Sequence, residues 1–236
     1  MTALLLRLAG PLQSWGTASR FTRRATDRAP SKSAVIGLLA AAEGRRRTDS
    51  IEHLLGLRFA VRTEQIGRLE RDFQTAARPG ERTPVSVSTR HYLADAVFVA
   101  AVEGERALLE GLDAALRRPH FPLYLGRRSC PPAGPVSLGL RDGTAVEALT
   151  AEPWRASPWI QRRHRAPDVV LDISADGDPT DPTVVLVRDQ PLAHGFDPAY
   201  RQWEWRAVRH DRVRIPNPAF TGPAPVRDPH EPLKVL

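Results

Sequence analysis

Cysteine and lysine are almost missing from this chain. The single cysteine, Cys130, excludes an internal disulfide framework and any cysteine-built zinc site within the chain. That usage fits a reducing, cytoplasmic setting. Long apolar runs are missing too. The longest, residues 35–42, is interrupted by Gly37 and falls far short of the roughly 20 residues a membrane helix needs, so no membrane association is expected. The chain passes at once into a strand-like run over residues 3–8. It shows no basic start, apolar stretch and small-residue cleavage site of a secretory leader. Metal-ligand spacing is also lacking. There is no HxxxH or HExxH pattern and no clustered acidic pair for Mg²⁺, and the Asp-rich stretch 176–181 contains Pro179 and lacks calcium-loop spacing. No cofactor is expected.

The 236 residues allow one full domain plus a smaller lobe, at about 100–200 residues per domain. Hydrophobic residues make up 42% and charged residues 26%, which argues against wholesale disorder. The net charge of +7 is unevenly placed. Residues 1–47 hold nine basic and two acidic side chains, while 48–236 hold 25 of each. A focused basic region attracts polyanions. Of the 34 basic residues 32 are arginine, whose planar fork grips phosphate bidentately and stacks on bases. A GC-rich genome would account for the arginine excess equally well, but not for its placement.

Along the chain, residues 3–8 read as a buried strand and residues 12–30 as a long irregular segment. Ser31 or Ser33 can cap a helix over 34–43, which Gly44 ends. Arg45-Arg46-Arg47 follow, suited to the helix dipole. A short helix at 51–57 and a half-buried strand at 58–64 come next. The polar stretch 65–89 reads as an extended hairpin or excursion. A strand at 92–102, an amphipathic helix at 105–118 and a strand at 136–140 complete a β-α-β-β-α-β order, the ferredoxin-like arrangement of an α+β fold. The same arrangement serves RNA-recognition modules and many unrelated proteins. Beyond it, a helix at 145–151 and strands at 169–173, 184–188 and 203–208 suggest a smaller β-rich lobe. Six prolines in 215–236 suggest an extended, mobile tail. The expected division is 1–142, 143–214 and 215–236, with the hairpin at about 65–91.

Two constellations carry chemistry. Gln13, Trp15, Gly16, Arg20, Phe21, Arg23, Arg24 and Arg28 precede Lys32 and Ser33 at a helix start. Arginines and aromatic faces suit phosphates and unstacked bases, and a helix N-terminus favours an anion. Trp15 and Phe21 suit either stacking or core packing. Alternatively the loop is a solvated basic segment before a capped helix. Gly126-Arg127-Arg128 between a helix and a strand lets backbone approach a ligand closely, or is an ordinary turn. His91-Tyr92 beside Arg90 would suit metal-independent RNA cleavage, but neighbours in a strand point to opposite faces. No catalytic residue is assigned.

These strings carry a resemblance. Leu6 through Gly16, then Arg24, Thr26, Pro30-Ser31-Lys32-Ser33, Ile36 through Ala42, Asp72-Phe73-Gln74-Thr75, Arg90 with Tyr92-Leu93, and Tyr124 through Pro131 resemble the CasD family of subunits of the type I-E CRISPR Cascade complex. The match runs in register from residue 3 to about 140 and is looser around 201–208. The resemblance implies a ferredoxin-like domain with a protruding β-hairpin thumb and a small C-terminal lobe. It implies a non-catalytic subunit in antiviral defence that binds and caps the repeat-derived 5′ handle of the CRISPR RNA. Contacts with the backbone subunit CasC and the large subunit CasA are implied, and with target DNA indirectly. RNA contacts are expected from the loop before Lys32 (Gln13, Trp15, Gly16, Arg20, Arg23, Arg24 and Arg28), from Lys32 and Ser33, from Gly126, Arg127 and Arg128, and from Arg90 and Gln74 near the thumb. Gln74 stands where the family often carries histidine. A related subunit of another CRISPR type is an endoribonuclease, which makes repeat-RNA processing the alternative reading.

Overall fold

The computed structural model describes residues 1–17, 22–76, 85–197, 199, 200 and 202–222. Strand β1 (Thr2–Ala9) is almost wholly buried, as an apolar run interrupted only by Arg7 between residues 3 and 9 requires of a central strand. Two short strands, β2 (Leu12–Gln13) and β3 (Arg23–Arg24), interrupt the segment expected to be irregular. Helix α1 (Lys32–Ala42) is capped by Ser31, whose Oγ accepts from the Ala34 amide. Gly44, at φ 84°, lets the chain fold back, so that the Gly44 and Arg45 amides donate to the carbonyls of Ala41 and Ala40. The His120 amide serves the Ala42 carbonyl. Backbone amides thus satisfy the last turn, and the caps do not need Arg45, Arg46 and Arg47.

Then follow α2 (Glu52–Leu55), β4 (Arg58–Gln65), β5 (Arg68–Ala76), β6 (Val85–Ala94), β7 (Val97–Gly104), α3 (Arg106–Arg117) and β8 (Ser137–Asp142). Helix α4 (Ala145–Ala151) begins with a capping box between Thr144 and Glu147. The unanticipated α5 (Pro158–Arg163) precedes β9 (Asp168–Asp176), β10 (Val185–Pro191) and β11 (Trp203–Pro216).

Seven strands form one antiparallel sheet in the order β10-β11-β9-β4-β7-β1-β8. The inner strands alternate between two cores. Leu4, Leu6, Phe59, Val61 and Phe98 pack with Val35, Ile36 and Leu39 of α1 and with Leu109 and Leu112 of α3. Ala3, Leu5, Ala60, Val99 and Ile173 pack with Ala145, Ala148 and Leu149 of α4. Burying both faces explains why the central strands carry runs rather than alternation.

Two expectations need correction. The strands of the expected C-terminal lobe do not build a separate sheet: β9 pairs with β4 and extends the main one. The proline-rich end is not mobile from residue 215. Ile215 and Asn217 are buried, and Asn217 Nδ2 donates to the carbonyls of Gln161, His164 and Ala166. Residues 223–236 lie outside the described part. Among the described residues no helix is long and apolar enough to cross a membrane.

A second, smaller sheet carries the hairpin. Strand β5 pairs with β6 from Arg68 opposite Ala94. On the other edge of β6 lie β2, antiparallel, and β3, parallel.

Candidate nucleic-acid interface

The small sheet brings distant arginines level. Arg24 pairs with Arg90, which pairs with Asp72, while Arg23 pairs with Thr89, which pairs with Phe73. Level partners share a face and neighbours oppose. One face therefore holds Arg24, Arg90, Asp72, Gln74, Ser88 and Tyr92. Its bonds agree: Arg90 Nε donates to Ser88 Oγ at 3.4 Å, and Gln74 Nε2 to the Tyr92 hydroxyl at 3.5 Å and to Asp72 Oδ2 at 2.6 Å. The opposite face holds Arg23, Arg71, Phe73, Thr89 and His91. Arg23 and Arg24 are thus divided between faces.

Arg127 fastens this sheet to the main domain. Its Nη1 donates to the His91 carbonyl at 3.1 Å and its Nη2 to the Arg24 carbonyl at 2.9 Å. Its guanidinium lies 4.6 Å from the centre of the Tyr92 ring. The turn that delivers it is closed by Leu125 N–H to Cys130 O at 2.7 Å and Cys130 N–H to Arg127 O at 2.8 Å. Gly126, at φ 84°, sits where a Cβ would collide with the Ser14 carbonyl. Its glycine serves loop-on-loop packing. Arg127 is accordingly a positioning residue, and Arg128 stands exposed beside it. Burial pushes the Cys130 thiol above its ordinary value.

Exposed guanidinia remain at Arg23, Arg24, Arg28 and Arg128. Among the described residues none of them has a carboxylate partner. Gly16 is exposed at the start of the same loop. Arg20 and Phe21 lie outside the described residues.

Several expected contacts are instead internal. Trp15 is 0% exposed, and its Nε1 donates to Gln13 Oε1 at 3.1 Å. Gln13 is equally buried, donating to the carbonyls of Leu8 and Ala96. Both are packed in the core rather than presented at the surface. Lys32 is 5% exposed, with Nζ 2.9 Å from Asp176 Oδ2. Its amide donates to Asp189 Oδ2 at 2.8 Å, so an internal carboxylate fills the anion position at the start of α1. Arg206 closes the ring with two bonds to Asp189 and one to Asp176. Neither Lys32 nor the helix N-terminus is open to phosphate. The half-buried Ser33 faces the cap, with Oγ 3.3 Å from Ser31 Oγ.

Sequence reasoning missed the outer hairpin face. Leu69, Phe73 and Val87 are exposed there, and Arg71 lies 5.1 Å over the Phe73 ring. The alternation Leu69, Arg71, Phe73 was the available signal. His91 and Tyr92 do not share a pocket, and His91 Nδ1 is buried without a partner. Among the described residues no three His, Cys, Asp or Glu side chains group as a metal site.

A family model described as "CRISPR-associated protein (Cas_Cas5)" matches residues 3–216. The chain belongs to this CRISPR-associated family. A relative named "CRISPR system Cascade subunit CasD", from Escherichia coli strain K12, is 37% identical over 156 residues, covering 58% of this chain and 70% of the relative. A solved structure called "Crystal structure of Cas protein" is 37% identical, with a TM-score of 0.70 over 94% of this chain and 100% of that one. Another, "CRISPR RNA-guided surveillance complex", is 34% identical, with a TM-score of 0.75 over 94% of each chain. In this family member the matched span runs to the end of β11, so it includes all three strands added beyond β4.

Proposed function

We propose that the chain is the CasD-type subunit of a type I-E CRISPR RNA-guided surveillance complex, and that it holds the 5′ handle of the guide RNA without cutting it. The observation that carries this reading is the set of unpaired guanidinia gathered around the hairpin base. Arg24 and Arg90 stand level across β3 and β6, Arg128 stands exposed beside the Arg127 that bonds both strands, and among the described residues neither these three nor the exposed Arg28 has a carboxylate partner. Unpaired arginines outside the core give phosphate contacts at little desolvation cost. Strands β8-β1-β7-β4, with α1 and α3 on one face, support a ferredoxin-like domain, with β5 and β6 as its thumb. Contacts with the backbone and large subunits, and indirectly with target DNA, belong to the same reading, as does a cytoplasmic location.

The opposed faces of His91 and Tyr92 support a binding role over the endoribonuclease alternative. Cleavage of repeat RNA by the pure chain in EDTA, lost in His91→Ala, would reverse that preference.

Fluorescence anisotropy with a labelled handle RNA tests the site. The Arg24→Ala/Arg128→Ala double variant is expected to bind more weakly. Its plot of log affinity against log salt should flatten by about 1.4, at about 0.7 per lost single-strand phosphate contact. Unchanged affinity and slope would remove this surface from the RNA path.

A further inference from the structure

A second surface has the makings of a nucleotide site. A groove of about 750 Å³ lies between the β4–β5 turn, α5 and β9, with Ile66, Arg68, Asp95, Trp159, Arg163 and Asp172 among its walls. That size is within the range of small-ligand clefts, about 300–1,000 Å³. Trp159 is 51% exposed, although tryptophan is the side chain with most to gain from burial. Arg68 and Arg163 are exposed on its walls, and Arg162 and Arg165 are exposed next to Arg163 along the chain. Among the described residues none of the four is in an ion pair. The nearby acids are largely engaged: Asp172 with Arg212, Asp168 with Arg214, and Glu64 with buried Arg62. Asp95 stays exposed on the wall.

The platform is rigid. Ser157 donates through its amide and its hydroxyl to Gln65 Oε1, at 3.1 and 2.7 Å. Gln161 Nε2 donates to the Trp154 carbonyl at 2.7 Å, and Trp154 Nε1 to the Glu64 carbonyl at 2.9 Å. Asn217 secures the far end of α5 through the Gln161 and His164 carbonyls. Trp159 is thus presented by a helix tied at both ends, which reduces the ordering cost of binding.

We infer that this groove binds an unpaired nucleotide of single-stranded RNA, its base on the Trp159 ring and the flanking phosphates on Arg163, Arg68 and Arg162. An exposed indole beside free guanidinia is the combination that single strands use, base on ring and backbone on charge. A duplex hides its base faces and would leave the indole idle. The exposed Asp95 carboxylate on the wall offers an acceptor to a ribose 2′-hydroxyl, which favours RNA over DNA.

The test uses the full chain with oligouridylate 12-mers carrying 4-thiouridine, and thymidylate 12-mers of the same length. Irradiation is expected to crosslink the peptide holding Trp159. Trp159→Ala should weaken oligouridylate binding roughly tenfold, at the stacking energy of about 1–3 kcal/mol per base, and Trp159→Phe should retain most of the affinity. Arg162→Ala/Arg163→Ala should flatten the salt slope by about 1.4. No crosslink at this peptide, or equal affinity in Trp159→Ala, would overturn the site. Equally tight thymidylate binding would overturn its assignment to RNA. The handle interface is separable: Arg24→Ala/Arg128→Ala leaves the Trp159 crosslink in place whether or not handle binding survives.

Discussion

Lys32 shows how a residue's chemistry is decided far from its neighbours in sequence. Beside serines, in a basic stretch and at a helix start, it has every local mark of a phosphate ligand. Its carboxylate partners arrive 144 and 157 residues later, as Asp176 and Asp189. No local pattern could announce them. Trp15 was open between two roles for a similar reason: its burial depends on Gln13, which itself bonds the Ala96 carbonyl 83 residues away. A buried charged ring loses heavily when one member goes, because the rest stay desolvated. Asp189→Ala is expected to lower unfolding free energy by about 3–5 kcal/mol in urea titrations. Arg24→Ala, at an exposed position, should stay within about 0.5 kcal/mol. A near-silent Asp189→Ala would mean that Lys32 and Arg206 find water instead.

Elements were more legible than roles. Strand β1 and helix α3 were readable because burial writes an apolar run in one and a 3.6-residue stripe in the other. The hairpin was readable as a hairpin or excursion, but not which residues share each face, since its outer part is exposed on both sides and hydrophobic patterning there has little to record. Helix α5 was missed: only six residues long, with no buried side chain, it leaves no stripe. The turn holding Gly126 reads as a generic phosphate loop, yet its glycine is needed to pass the Ser14 carbonyl. Gly126→Ala combines backbone strain with that collision. It should cost about 1–3 kcal/mol of stability and also weaken handle-RNA binding, because Arg127 would lose its reach to β3 and β6. Denaturant titration and anisotropy read the two effects. Intact RNA binding in a folded Gly126→Ala protein would show that Arg127 does not set the interface.

At the scale of the molecule, a single sheet crosses the boundary where the sequence suggested two units. Pairing rather than composition decides this: β9 lies along β4, and Ile173 and Ala175 complete the core under α4. The chain should therefore melt in one transition, with calorimetric and van't Hoff enthalpies in agreement. Two resolved transitions would restore an independent C-terminal lobe.

The ring of Lys32, Asp176, Arg206 and Asp189 also has a consequence for birth on the ribosome. The first turn of α1 is made early, but the carboxylate that quiets its dipole and the arginine that balances it emerge only after most of the protein has been translated. Until then that end of the helix has only its Ser31 cap and water for partners, so the last part of its stabilisation arrives with the C-terminal strands.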